Sequence, residues 1–336
     1  MGDSKEALDV WMHANHAVTV NASGAVKTRA AQLVDTVEHL ETGKPDTGDY
    51  LRAIRPHQWM KNLLVFLPML AAHQIDVETF TYSLVAFVAF CVFASSVYTV
   101  NDLLDLAADR AHPRKKDRPF AAGRVSIAAG TWVAGALLMT GAASAAFLGP
   151  LFFSVMFAYF LLSTVYSLHL KRRIIIDICL LAGLYTARIV AGGVAVELLP
   201  SAWLLAYSIF FFLSLAAVKR QAELVDAVNA GRLKSSGRGY HTEDLPIIAM
   251  ISISAGYVAV LVMALYVNSP AVTELYSFPE ALWGVCAVLL YWITRTVLLT
   301  HRGAMHDDPL IFAAGDRISQ ICFMLVLVFA LAGAIL

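Results

Sequence analysis

Nine stretches of mostly apolar residues run along the chain, at about 62–73, 80–101, 126–147, 150–169, 174–196, 201–218, 246–267, 280–300 and 317–336. Most hold 18 to 23 residues, enough for a helix to cross a hydrocarbon core of about 30 Å. Lipid offers backbone N–H and C=O groups no partners, so successive spans of this length predict helices. The expected fold is all-α: a polytopic membrane bundle of nine transmembrane helices. The first stretch is short, and a helix begun near Asp49 would lengthen it through an amphipathic run.

Residues 1–48 follow another pattern. Val18 to Val20 read as a short strand, Asn21 to Gly24 as a turn, and Ala25 to Leu40 as an amphipathic helix. Gly43, Pro45 and Gly48 then break the chain before the membrane part. The segment is too small to build a core alone. Two parts are therefore expected: a cytosolic segment at 1–48 and one membrane domain at 49–336. No short internal repeat is visible. No signal peptide is expected, because the first apolar run begins after residue 61.

Composition sharpens this picture. Of 336 residues, 59% are apolar and 15% charged, with a net charge of zero. Nothing here suggests nucleic-acid binding. The loops at 74–79, 148–150, 197–200 and 268–279 hold no Lys or Arg, whereas the opposite set carries nearly all of them. The positive-inside rule makes that opposite face cytoplasmic, with the N-terminus inside and, after nine crossings, the C-terminus outside. A site rich in polar residues should open to the cytoplasm. Cys91, Cys179, Cys286 and Cys322 lie within spans without metal-ligand spacing and read as small core residues.

The strongest chemical signal is YTVNDLLDLAADRAHPRKKDRP at 98–119. On one continuous helix, Asn101, Asp102, Asp105 and Asp109 fall within about one quadrant of the surface over roughly 12 Å. Crowded carboxylates near hydrocarbon call for a counter-ion. Hard oxygen ligands suit Mg²⁺, which usually also binds substrate phosphates. Tyr98 lies one turn earlier on the same face. Arg114, Lys115, Lys116 and Arg118 follow at once; they serve either as lipid anchors or as phosphate ligands, Arg118 foremost.

Other clusters are more ambiguous. RPHQWMKN at 55–62 offers Lys61, as a phosphate ligand or a snorkelling cation, and Trp59, which fits an interfacial aromatic belt. Asp177 and Arg188 sit in one span about three turns apart, so each needs a separate partner. For Arg188 the choice is a phosphorylated ligand or a salt bridge to another helix. Lys219 and Glu223 are spaced for a surface pair. The loop with Gly237, Gly239, Tyr240, His241 and Asp244 either approaches a ligand or is plain loop. Asp307, Asp308, Asp316 and Arg317 read mainly as loop and helix-start chemistry.

NDLLDLAAD, the spans and the polar cytoplasmic loops together resemble the UbiA-type prenyltransferase superfamily over about residues 49–336. RPHQWMKN, NDLLDLAADRAHPRKKDRPFAAGRV, ARIVAGG around Arg188, and KRQAEL resemble in order its decaprenyl-phosphate phosphoribosyltransferase branch. Ordinary members carry a second acidic DxxxD motif after the sixth span. Here that region reads KRQAELVDAV, with Lys219, Arg220, Glu223 and Asp226, which favours direct phosphate binding there. Residues 7–33, around VTVNAS, are similar to the tail of a haloacid-dehalogenase-type phosphatase domain, without that family's nucleophilic aspartate motif. The alternative for this segment is a plain amphipathic tail.

The resemblance implies a bacterial inner-membrane enzyme of cell-wall precursor synthesis. It would move 5-phosphoribose from 5-phosphoribosyl 1-diphosphate to a polyprenyl phosphate, with Mg²⁺ as cofactor and self-association possible. In that reading Asp102, Asp105, Asp109 and Lys61 are catalytic, and Asn101 joins the three aspartates around the metal. Tyr98, Lys115, Arg118, Asp177, Arg188, Lys219, Arg220, Glu223 and Tyr240 serve substrate binding. Two alternatives stay open: a prenyltransferase acting on an aromatic acceptor, and a non-enzymatic carrier of anionic lipid.

Overall fold

A computed structural model describes residues 11–20, 22–34, 36–40, 46–111, 115–234, 238–305 and 308–335. The chain starts with β1 (His16–Val20), α1 (Gly24–Leu33), β2 (Thr36–Leu40) and α2 (Thr47–Ala53). A 3-10 segment, Pro56–Phe66, leads into the short α3 (Leu67–Ala71). The long helices follow: α4 (Val77–Leu104), the short α5 (Leu106–Ala111), α6 (Ile127–Phe147), α7 (Pro150–Leu168), α8 (Ile176–Ala195) and α9 (Ala202–Asn229). The last are α10 (Leu245–Val267), α11 (Pro270–Leu275), α12 (Leu282–His301), α13 (Pro309–Gly315) and α14 (Arg317–Ile335).

Among the described residues, eight helices are long and apolar enough to cross a membrane. They are α4, α6 to α10, α12 and α14, and the all-helical membrane fold stands. The ninth apolar stretch, 62–73, is not among them. Helix α2 ends at Ala53, Arg55 takes a left-handed φ of 54°, and the next eleven residues wind as a 3-10 helix. His73, with φ of 54°, closes α3. No helix therefore runs from Asp49 through this stretch. The long helices start on ordinary signals: Ser201 caps α9 by accepting from Leu204 N at 3.1 Å, and Pro150 opens α7.

The chain divides into two compact units. The first comprises Met1–Ile54 and Thr99–Val133. In it β1 and β2 pair in parallel, His16 opposite Thr36, as the crossover helix α1 allows. The expected helix over Ala25 to Leu40 thus stops at Leu33, and a strand takes its end, because Thr36 and Val37 are β-branched and find a partner strand. Trp11, Val26 and Ala30 fill the space between. Asn21, Gly43 and Pro45 lie outside the described residues. A second small core gathers Ala53, Phe120 and Val125 with Leu103.

The second unit comprises Arg55–Tyr98 and Ala134–Leu336. Here α9 packs along α8 and α10, α10 along α12, and α12 along α14. One buried cluster joins Phe90, Phe152 and Tyr159; another joins Tyr185, Phe212 and Trp292. The 3-10 segment lies against α8 and touches α13. At their closest approach Gly192 faces the Val65 carbonyl, and a Cβ there would fall inside that oxygen's van der Waals radius. That approach sets Lys61 and Asn62 beside the helix that carries Arg188.

Candidate phosphate and metal sites

In the first unit the acidic run is not one unbroken helix. Helix α4 ends at Leu104, Asp105 is the junction, and α5 restarts at Leu106. Helical hydrogen bonds still cross it: Asp105 N donates to Asn101 O at 2.9 Å, and Asp109 N to Asp105 O at 2.8 Å. Asp102 and Asp109 are buried, and both accept from Arg118 Nη1, at 3.1 and 2.6 Å. Asn101 and Asp105 are half-buried.

Thus two of the four expected ligands converge, and a guanidinium nitrogen bridges them. No three His, Cys, Asp or Glu side chains form a metal site among the described residues. The hard oxygens of Asp102 and Asp109 fit Mg²⁺ in chemistry. Lys115 is exposed, and Arg114 lies outside the described residues.

The second unit holds two charged networks. One centres on Asp308 at the start of α13, where Asp before Pro is a helix-start signature. Its Oδ2 accepts from Lys61 Nζ at 2.7 Å, Lys219 Nζ at 3.0 Å and the Tyr185 hydroxyl at 3.3 Å. Lys61 and Asp308 are 6% and 7% exposed. Burial alone would raise the Asp308 carboxyl, but the Lys219 and Lys61 charges outweigh it and hold it well below the usual carboxylate range. Burial, reinforced by the charge of Lys219, brings Lys61 down to about 8, against the pull of Asp308.

Arg188 borders this network. Its guanidinium and the Lys61 ammonium lie 5.5 and 5.8 Å from the centre of one ring, that of Tyr185. Arg188 is 4% exposed. It donates to Asn62 Oδ1 at 2.9 Å, Leu184 O at 2.6 Å and the Tyr159 hydroxyl at 2.7 Å. All three acceptors are neutral. Among the described residues no carboxylate forms a salt bridge with it, so the expected alternative of an interhelical ion pair is absent there. Among the described residues, Lys61, Lys219 and Arg188 thus gather around one carboxylate, that of Asp308. Lys61 and Arg188 are buried and Lys219 half-buried, and a surplus of positive charge in such a setting favours an anion.

The other network is closed. Asp177, 0% exposed, receives Arg220 Nε at 3.2 Å on Oδ1, with Oδ2 only 2.9 Å away. Arg220 also pairs with Glu223, and Arg238 lies 3.8 Å from Asp177 and 3.9 Å from Glu223. Among the described residues two cations, Arg220 and Arg238, stand against two anions, Asp177 and Glu223. Consecutive on α9, Lys219 and Arg220 point about 100° apart and so join different networks. The Tyr240 hydroxyl accepts from Ile175 N at 2.8 Å, holding a β-branched residue at a φ of 63°. Gly239 packs against the Arg172 carbonyl.

Arg220, Glu223 and Asp177 are thus engaged with one another, and Tyr240 with the backbone, in this structure. Arg220→Ala is expected to destabilise the protein by about 3–5 kcal/mol, since it strands a buried carboxylate. A fall in thermal midpoint that added phosphate does not restore would show this. An unchanged midpoint with lost phosphate binding would return Arg220 to the ligand.

Other expected residues fall in plainer settings. Tyr98 is half-buried, with the Arg55 guanidinium 5.8 Å from its ring centre. Trp59 donates to Ser95 Oγ at 2.9 Å and is thus tied to α4. Asp316 caps α14, accepting from Ser319 N at 2.8 Å, and grips Arg295 at 2.6 and 3.1 Å. Those hydrogen bonds hold its carboxyl down at about 2. Gly237 and Asp307 lie outside the described residues. Sequence reasoning missed Asn62, Tyr159, Tyr185 and Arg238, and saw in Asp308 only the helix start.

Residues 62–314 match the UbiA prenyltransferase family. The chain belongs to that family. The nodulation protein NoeC of Azorhizobium caulinodans is 37% identical over 82% of this UbiA-family chain and 90% of its own. A decaprenyl-phosphate phosphoribosyltransferase of Mycolicibacterium smegmatis is 34% identical over 82% and 88%. The uncharacterized protein y4nM of Sinorhizobium fredii is 35% identical over 95% of this chain, which spans 62% of that protein's length. A UbiA homolog from Archaeoglobus fulgidus, solved with GPP and Mg²⁺, shares the fold with a TM-score of 0.62 at 15% identity, over 84% of this chain and 99% of its own. The chain is thus an integral membrane enzyme of the UbiA family, homologous to enzymes named decaprenyl-phosphate phosphoribosyltransferase.

Proposed function

We propose that this enzyme transfers 5-phosphoribose from 5-phosphoribosyl 1-diphosphate to a polyprenyl phosphate and releases diphosphate. The observation that carries the reading is the surplus of Lys61, Lys219 and Arg188 over Asp308 among the described residues, with Lys61 and Arg188 buried. It suits a phosphate group, and one of its members, Lys219, comes from the KRQAELVDAV stretch, where ordinary family members would have a second acidic motif. The named mycobacterial relatives act on decaprenyl phosphate, which supports the same choice.

In this reaction a lipid phosphate oxygen attacks C1 of the ribose as the bond from C1 to the diphosphate oxygen breaks. The nucleophile is already ionised near neutral pH, so no side-chain nucleophile or general base is required. Lys61, Lys219 and Arg188 bind phosphate and offset its charge in a low-dielectric setting. Asp102 and Asp109, with Asp105 and Asn101 beside them in the chain, would hold Mg²⁺, and Arg118 would yield its place between the first two. Bound there, the metal would stabilise the departing diphosphate. The cation-bearing loops would face the cytoplasm, where a phosphorylated sugar is supplied.

A radiolabelled panel tests the assignment. With Mg²⁺, phosphoribosyl diphosphate plus polyprenyl phosphate should yield a labelled lipid and diphosphate. Polyprenyl diphosphate plus an aromatic acid should yield nothing. The reverse result would make the chain a prenyltransferase on an aromatic acceptor. Lipid movement without diphosphate release would make it a carrier.

A further inference from the structure

Helix capping accounts for only one of the two oxygens of Asp308. Its Oδ1 accepts from Leu310 N at 3.2 Å, which is the capping bond of α13. Among the described residues its Oδ2 serves no backbone group. That oxygen gathers Lys61 from the 3-10 segment, Lys219 from α9 and the Tyr185 hydroxyl from α8. Because both ammonium nitrogens reach the same atom, they lie within about 6 Å of each other despite like charge. Each ammonium carries three donors and gives one to Asp308. The remaining donors of both can converge on the oxygens of a single phosphate.

We propose that Asp308 is a positioning residue whose Oδ2 holds Lys61 and Lys219 as a two-ammonium clamp on one substrate phosphate. The proposal rests on the phosphate reading of this site. Asp308 acts through the lysines and does not touch the substrate. It fixes their spacing and direction before the anion arrives, which lowers the ordering cost of binding.

The same carboxylate influences how long Lys61 keeps its proton. The groups facing Lys61 are Asp308, Lys219 on α9, and Arg188 and Tyr185 on α8. Burial and Lys219 draw its proton off near pH 8, and Asp308 resists. Removing the carboxylate charge therefore lowers the pH at which Lys61 becomes neutral. Removing the Lys219 charge raises it. Phosphate binding should weaken above the pH at which Lys61 is neutral.

The test uses the full-length protein in nanodiscs with inorganic pyrophosphate as the probe. Binding is measured by calorimetry from about pH 6 to about pH 10, across the range of a depressed lysine. In parallel, the acylation rate of Lys61, read by peptide mass spectrometry, reports its protonation with no ligand present. Asn caps a helix as well as Asp does, so Asp308→Asn keeps the start of α13 and removes only the charge. It should weaken pyrophosphate binding about ten- to hundredfold and move both pH midpoints below those of the wild type. Lys219→Gln should move the Lys61 acylation midpoint above it.

Wild-type affinity and an unshifted Lys61 profile in Asp308→Asn would reduce Asp308 to a helix cap and overturn the proposal. A wild-type protein that binds no pyrophosphate at any pH would overturn it by a different route. The phosphate reading itself would then have failed, whatever the acylation profiles show.

Discussion

Asp102→Asn should lower turnover by about 10³-fold, the loss of several kcal/mol of metal-assisted charge stabilisation, and leave the helices folded. Asn is close in size to Asp and can still accept from Arg118. Arg118 in any case keeps its 2.6 Å bond to Asp109. The packing around position 102 is thus preserved, and what disappears is one negative charge. If that charge serves only to hold Arg118, the cost should be confined to stability. If it also serves Mg²⁺, diphosphate release should collapse while the circular-dichroism melt barely moves. Wild-type turnover by Asp102→Asn at limiting Mg²⁺ would remove the metal from the mechanism.

Arg188→Gln carries the second large expectation. Truncating one partner of a buried charge contact typically costs enough to lower kcat/KM about 10²-fold. The effect on stability should run the other way. In the ligand-free protein the guanidinium is desolvated, with three neutral acceptors and the Tyr159 and Tyr185 rings around it and no carboxylate on its nitrogens among the described residues, so its charge is only partly compensated until an anion binds. The thermal midpoint of the free variant should therefore equal or exceed that of the wild type. Inorganic pyrophosphate should raise the wild-type midpoint, since any ligand that prefers the folded state stabilises it, and leave Arg188→Gln nearly unmoved. A sharp loss of midpoint without ligand would make Arg188 a structural brace, like Arg220.

The helical membrane architecture was legible because it depends on the length of apolar runs, a local property. The expectation failed locally where geometry overrode hydropathy. Residues 62–73 are apolar enough, but left-handed Arg55 and His73 and the 3-10 winding between them deny that stretch a single long helix. The acidic run was legible for the same reason of local spacing. Its wheel did not show the junction at Asp105, nor that Arg118 would fold back between Asp102 and Asp109. Asp308 was read only as the start of a helix, which it is. Its larger role arises from a partner 247 residues away, and no periodicity encodes that distance. Lys219 and Arg220 looked like one basic pair because they adjoin in sequence. On a helix, adjacent residues diverge, and each ended in different company.

Gly192 gives the cation cluster a vulnerability that has nothing to do with charge. Helix α8 and the backbone at Val65 meet without room for a methyl group, one turn along from Arg188 and a few residues from Lys61. A side chain there would act as a wedge, prising apart the two supports on which the cations are mounted while every ionisable group stayed in the chain. Function could thus be silenced by a substitution that a survey of conserved charges would pass over.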